Sequence, residues 1–246
     1  MSVDPTVGLL ETLLVLEGRP VSLRVHIDRI WSSAVALFGG PPPESLVPAM
    51  QLAASELKLG RLRATVGWPP LSEPQCHVEA AEVDPEDVFP AVGEGRPLHT
   101  VEANGSLGPH KWADRSWVKH LDLPAGDSVP LLVSARTKDV LETIRGNIFL
   151  LKKGTLVTPA LDGRILPGIA RAQTIEVARD IGIDVAERPL ALDELFAADE
   201  VFTTGSVRGI EPISVIDGAE IRSGPETPRL AANLRRAWLQ TESGSV

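Results

Sequence analysis

The sequence predicts an α+β chain built from two subdomains. Three observations predict it. Helical spacing of apolar residues dominates 25–58, strand-like runs separated by turn residues dominate from 129 onward, and the Gly/Pro-rich stretch "FPAVGEGRP" (89–97) lies between them. The boundary divides a smaller N-terminal α/β subdomain, 1–96, from a larger C-terminal one, 97–246.

Taken in order, "VLEGRPVSL" (15–23) reads as two short strands around a Glu-Gly-Arg-Pro turn, because a Gly-containing loop between apolar runs favours a hairpin. "VHIDRIWSSAVALF" (25–38) carries apolar groups at helical spacing. After "GGPPPES" a second amphipathic helix is predicted over 44–58, with Leu46, Met50, Leu52, Ala53 and Leu57 facing inward. "RLRATVGW" and "CHVEAAEV" alternate apolar residues and repeat β-branched valine, the signature of half-buried strands. Beyond the boundary, "VPLLVSA", "DVLETI", "NIFLLKKGTLVTP" and "EVFTTGS" read as strands. One strong helix, 169–180, follows Pro167-Gly168. No period of 20–50 residues repeats, which excludes a solenoid.

The 246 residues, 43% of them hydrophobic, can furnish a substantial core. A formal charge of −9 argues against general nucleic-acid binding, which needs a basic surface to displace counterions from phosphates. The one cysteine, Cys76, rules out an internal disulfide framework and fits a reducing cytoplasm. The N-terminus has no basic region followed by an apolar run, and no stretch approaches the ~20 apolar residues of a membrane span, so neither export by that route nor a membrane partner is expected. His77, His99 and His120 lack metal-ligand spacing, and no metal is expected.

The stretch "SLGPHKWADRSW" (106–117) places Lys111 after a Gly-Pro turn, at the mouth of a predicted helix. An amine is nucleophilic only when deprotonated, and burial or neighbouring cations favour that state. His110 and Arg115 are close in sequence, and Trp112 and Trp117 can supply apolar walls; an ordinary surface lysine is the alternative. "VHIDRIWSSA" (25–34), "HKWADR" (110–115), "ETIRGNIFL" (142–150), "LVTPALDGRILPGIAR" (156–171) and "ADEVFTTGSVRGIEPI" (198–213) decide between the two. Their order and spacing resemble those of the fold-type IV pyridoxal-phosphate enzymes, the class IV aminotransferases and 4-amino-4-deoxychorismate lyases. The resemblance runs from about Gly8 onward.

That resemblance implies two α/β subdomains with the active site in the cleft between them, a homodimer, and pyridoxal 5'-phosphate as cofactor. It implies that Lys111 holds the cofactor covalently and shuttles protons at the substrate carbon. Glu142 matches the carboxylate that pairs with the pyridine nitrogen and keeps it protonated, with Asn147 and Phe149 in the matching places. Arg29 matches the phosphate-binding arginine of a His-x-x-Arg helix, where a planar guanidinium suits phosphate oxygens. Gly168, Ile169 and Ala170 stand at a helix N-terminus that offers backbone amides to an anion. Ser206 aligns with a phosphate-contacting hydroxyl, with Val207 beside it as a backbone donor, and Arg115, one helical turn after Lys111, is expected near the cofactor's phenolate oxygen.

For the substrate, a small-molecule amine, Arg63 corresponds to a basic strand position that meets a carboxylate. Thr12 falls in the family's Phe-Glu-Thr segment; either residue could equally be structural. The chain departs from the family pattern in having ten residues before "ETLLV" and no tyrosine, whereas branched-chain aminotransferases use tyrosines around cofactor and substrate. "KWADR" resembles the lyase's Lys-x-x-Asn-Arg, with Asp114 in place of asparagine. The resemblance therefore implies, first, an aminodeoxychorismate lyase of folate biosynthesis that releases pyruvate and 4-aminobenzoate. A class IV aminotransferase of an amino acid or amine is the alternative, and a non-catalytic ligand-binding protein on the same fold is a third reading. The joint presence of Lys111, Glu142 and Arg29 argues against the third.

Overall fold

The computed structural model describes residues 3–69, 72–91, 95–104, 108–121 and 128–241. Residues 92–94 of the boundary stretch, and Ser106 and Leu107, lie outside the described residues. The chain divides into two compact units: Ser2–Val88 with His110–His120 and the end from Trp238, and Phe89–Pro109 with Leu121–Ala237. Residues 110–120 thus fold with the N-terminal elements.

In the N-terminal unit, β1 (Leu9–Leu16) turns through Glu17-Gly18 into β2 (Arg19–Pro20). Both turn residues have positive φ, 47° and 80°, the geometry that matches strand twist in a two-residue hairpin; Gly18 adopts it without steric cost. Helices α1 (Leu23–Phe38) and α2 (Leu46–Ala54) follow, then β3 (Leu59–Gly67) and β4 (Gln75–Glu82). The antiparallel sheet has the order β2-β1-β3-β4. Its residues alternate between faces, so Leu9, Leu13 and Val15 of β1 join Leu62, Ala64 and Val66 of β3 beneath Ile30, Ala34, Leu46, Met50 and Ala54 of the helices. Leu52 departs from its predicted inward position and is 76% exposed. The helix stops at Ala54, so a single row at Leu46, Met50 and Ala54 carries its burial.

The other unit contains β5 (Leu98–Ala103), β6 (Val129–Ser134), β7 (Val140–Thr143), β8 (Asn147–Lys152) and β9 (Thr155–Thr158). Then come α3 (Ile169–Asp180), β10 (Asp184–Glu187), α4 (Leu192–Phe196), β11 (Glu200–Gly205), β12 (Gly209–Pro212), β13 (Val215–Ile216), β14 (Ala219–Glu220) and α5 (Glu226–Thr241). Two five-stranded sheets form, ordered β10-β9-β8-β11-β12 and β14-β13-β5-β6-β7. They share a core that includes Leu131, Val140, Ile148, Leu150, Val201 and Ile216. Strands β9 and β10 pair in parallel, which requires a crossover, and α3 supplies it. The corner between β7 and β8 carries the chain from one sheet to the other. There the Thr143 hydroxyl accepts from the Gly146 amide at 2.9 Å and donates to the Gly146 carbonyl at 2.8 Å. Among the described residues, no helix is long and apolar enough to cross a membrane.

Candidate active site

The strand β1 is apolar except for Glu11 and Thr12, and Glu11 is only 1% exposed. A buried carboxylate must be paired. Its partners lie one helical turn apart on α1: His26 Nδ1 is 2.6 Å from Oε2, while Arg29 donates from Nε to Oε1 at 2.8 Å and from Nη2 to Oε2 at 2.6 Å. Burial pushes the Glu11 carboxyl up, but the Arg29 charge and the hydrogen bonds from His26 and Arg29 overcome it and hold the pKa at about 2. His26 moves down, first through burial and then through the charges of Arg29 and Lys111, against the pull of Glu11. An ionised carboxylate only accepts, so the neutral His26 carries its proton on Nδ1. The sequence reading chose Thr12 in this segment and passed over Glu11.

Lys111 is not at the mouth of a helix. Residues 111–113 lie along the outer edge of β1: Leu10 N donates to the Lys111 carbonyl at 2.8 Å, Ala113 N donates to the Gly8 carbonyl at 2.9 Å, and Trp112 bridges Leu9. The helical turn that was expected to bring Arg115 beside Lys111 is therefore absent, and a 3-10 helix begins only at Ser116. Pro109 and the pairing with β1, a contact remote in sequence, override the local helical pattern. Asp114 fixes the segment by accepting from Asp4 N and Ser116 N, both at 2.8 Å, and these bonds lower its pKa. Trp112 packs against the helix-side core with Leu9. Strand alternation then puts Lys111 on the opposite face with Leu10 and Thr12. Thr12 and Arg63 are direct cross-strand partners, both half-buried, so Lys111, Thr12 and Arg63 share one face of the sheet.

In the other unit, Glu142 on β7 is 5% exposed. Asn147, first residue of β8, donates from Nδ2 to Glu142 Oε2 at 3.2 Å and to the Leu166 carbonyl at 3.0 Å. The Leu166 amide donates to both carboxylate oxygens, at 3.2 and 3.3 Å. Two residues later Gly168 caps α3 with no side-chain bond, leaving first-turn amides that include those of Ile169 and Ala170. Phe149 stacks on Phe202 at 5.1 Å and ties β8 to β11, which leads into Ser206 and Val207. Thr204, at the end of that strand, keeps a buried hydroxyl without a hydrogen-bond partner.

Residues 125–216 match the amino-transferase class IV family model. A mitochondrial branched-chain-amino-acid aminotransferase 1 of Arabidopsis thaliana is 45% identical over 92 residues, 37% of this chain and 24% of that protein. The match thus spans about a quarter of that curated relative. A 4-amino-4-deoxychorismate lyase from Pseudomonas aeruginosa superposes with a TM-score of 0.73 at 26% identity, over 93% of this chain and 90% of that one. Residues 125–216 thus carry the class IV aminotransferase pattern, and the chain as a whole has the fold of the solved structures of that kind. A hypothetical aminotransferase from Mycobacterium tuberculosis, in its PLP-bound form, shares the fold with a TM-score of 0.79 at 22% identity, over 95% of this chain and 89% of that one.

The residues present fit a phosphorylated pyridine. Glu142 is a fixed, buried acceptor suited to a ring N–H, and the α3 N-terminus, Ser206 and the Thr204 hydroxyl are donors suited to a phosphate. Gly168 has its own reason: a Cβ there would meet Asn147 Oδ1 at 2.0 Å, the side chain that holds Glu142. Gly168→Ala is expected to cost about 1–3 kcal/mol of stability through overpacking. Cofactor affinity should fall with it, because Asn147 cannot shift without loosening Glu142. Calorimetry and a cofactor titration check both; an unchanged melting temperature would show that the site relaxes freely.

Proposed function

We propose that this chain is a pyridoxal 5'-phosphate-dependent aminotransferase of an amino acid or amine, cytoplasmic and homodimeric. The observation that carries the reading is the Glu142 carboxylate, buried and fixed by Asn147 and the Leu166 amide beside the α3 N-terminus, where it can serve as the acceptor for a ring N–H. The curated relative named a branched-chain aminotransferase supports transamination over elimination. When bound, the cofactor supplies an electron sink for the substrate's α-carbon. Glu142 holds the proton on the ring nitrogen. Lys111 Nζ would hold the cofactor and would serve as the proton carrier at the substrate carbon. Arg29, the Ile169 and Ala170 amides and the hydroxyl of Ser206 hold the phosphate, with Val207 beside it, and Arg63 on the Lys111 face receives a substrate carboxylate with Thr12 alongside.

The lyase is the second reading, favoured by the 26%-identical lyase and by "KWADR". The same residues would serve it, with pyruvate leaving before reprotonation. The purified protein with added cofactor is expected to show a visible band that borohydride converts to a stable adduct on Lys111. Amine consumption is then expected only with a 2-oxo acid acceptor. Pyruvate released from aminodeoxychorismate without an acceptor would replace this reading with the lyase, and absence of the band would remove both.

A further inference from the structure

The loop leading into α3 is tied down by a side chain that the reading above leaves unused. Arg164 Nη1 donates to Asp139 Oδ2 at 2.9 Å and to Thr137 Oγ1 at 3.1 Å, and its Nε donates to Asp162 Oδ2 at 2.7 Å. Thr137 Oγ1 also donates to Asp139 Oδ2 at 2.8 Å, closing a small network. Both aspartates titrate below the usual range: the Thr137 hydrogen bond is the main cause for Asp139, and the Arg164 hydrogen bond for Asp162. Arg164 is itself only about a quarter exposed, so the pair is shielded in part from solvent.

The positions of these residues in the chain give the network its meaning. Asp139 immediately precedes β7, the strand that carries Glu142 three residues on. Arg164 stands two residues before Leu166, whose amide holds Glu142. Between them, Ile165 is buried at 2% exposure, so displacement of Arg164 is transmitted to Leu166 through an anchored residue. The guanidinium thus clasps together the two segments that meet at Glu142. We infer that Arg164 is a positioning residue for Glu142: it sets the Leu166 amide on the carboxylate and so keeps that carboxylate oriented toward its partner. The inference rests on the role proposed for Glu142. Arginine suits the task because its fork reaches two acceptors on different segments at once, which a lysine cannot do with the same geometry.

The test uses two readouts, the first on the cofactor-free chain. Arg164→Met is expected to speed amide hydrogen exchange at Leu166 roughly three- to ten-fold, as befits loss of a partly exposed charge network. Asp139→Asn should do the same to a lesser degree, and Arg188→Met, which breaks the remote Arg188–Glu194 pair, should leave Leu166 unchanged. The second readout is the pH at which the visible band of the cofactor-loaded protein titrates. Arg164→Met should shift that midpoint in the same direction as Glu142→Gln, by less, and should shift it no further in the Glu142→Gln background. Unchanged Leu166 exchange in both Arg164→Met and Asp139→Asn, or an Arg164→Met shift as large in the Glu142→Gln background as in the wild-type chain, would overturn the inference. If the wild-type chain forms no visible band, the proposed function fails, whereas the exchange result still judges the clasp.

Discussion

Lys111→Ala is expected to abolish covalent cofactor attachment and to lower turnover by roughly 10²–10⁴-fold, the contribution typical of a positioned proton-transfer group. Intact mass after borohydride treatment reads the attachment: the wild-type chain should gain the mass of the reduced cofactor and the variant should not. The fold should be nearly untouched. Lys111 is held to β1 through its backbone carbonyl, which accepts from Leu10 N, and neighbouring anchors come from Ala113 N and the Asp114 carboxylate. Truncating the side chain removes none of these. Stability is therefore expected within about 0.5 kcal/mol of wild type, as for substitutions away from the core. A variant that turned over normally would take Lys111 out of the chemistry. A variant that lost turnover together with its melting transition would show the side chain to be structural instead.

The contrast between Lys111 and α3 shows which features the sequence discloses. Helix α3 occupies the predicted 169–180, because Pro167-Gly168 is a local start signal and helical spacing is a local property. The strands around 129–134, 140–143 and 200–205 were similarly legible from apolar runs between turns. Lys111 had the expected neighbours but the wrong backbone, since its conformation is dictated by pairing with residues 8–10 about a hundred positions earlier. Glu11 was missed for the same reason. A carboxylate inside "LLETLLV" is itself a signal that a buried partner must exist, yet only the fold places His26 and Arg29 against it. Helix α5 carries a pattern legible in the sequence, Leu230, Leu234 and Trp238 four apart and all buried.

Glu11→Gln is the substitution expected to have the largest effect on stability. It keeps the shape of the side chain and removes the charge that compensates Arg29, so a buried ion pair loses one partner, at a cost of about 3–5 kcal/mol near neutral pH. The pH dependence separates this from a packing defect. The carboxyl titrates at about 2 in the folded chain against an ordinary 4.5, so the folded state binds fewer protons between those values. Its contribution is therefore complete above about pH 4.5 and is lost as pH falls toward 2. The difference of 2.5 units (4.5 − 2) corresponds to about 3 kcal/mol. His26, depressed by burial, adds a loss of the same sign that begins as pH falls below 6.5, and Glu11→Gln does not remove it. Denaturant midpoints of the two proteins should accordingly converge as the solution is acidified from pH 4.5; parallel curves would show that Glu11 is not ionised in the folded state. The same substitution reaches the proposed cofactor site. Glu11 occupies Nε and Nη2 of Arg29 and thereby fixes the plane of its guanidinium, so a phosphate held by Arg29 should dissociate roughly ten-fold more readily from the variant. Loss of stability with unchanged cofactor affinity would confine the Glu11–His26–Arg29 cluster to holding α1 on β1.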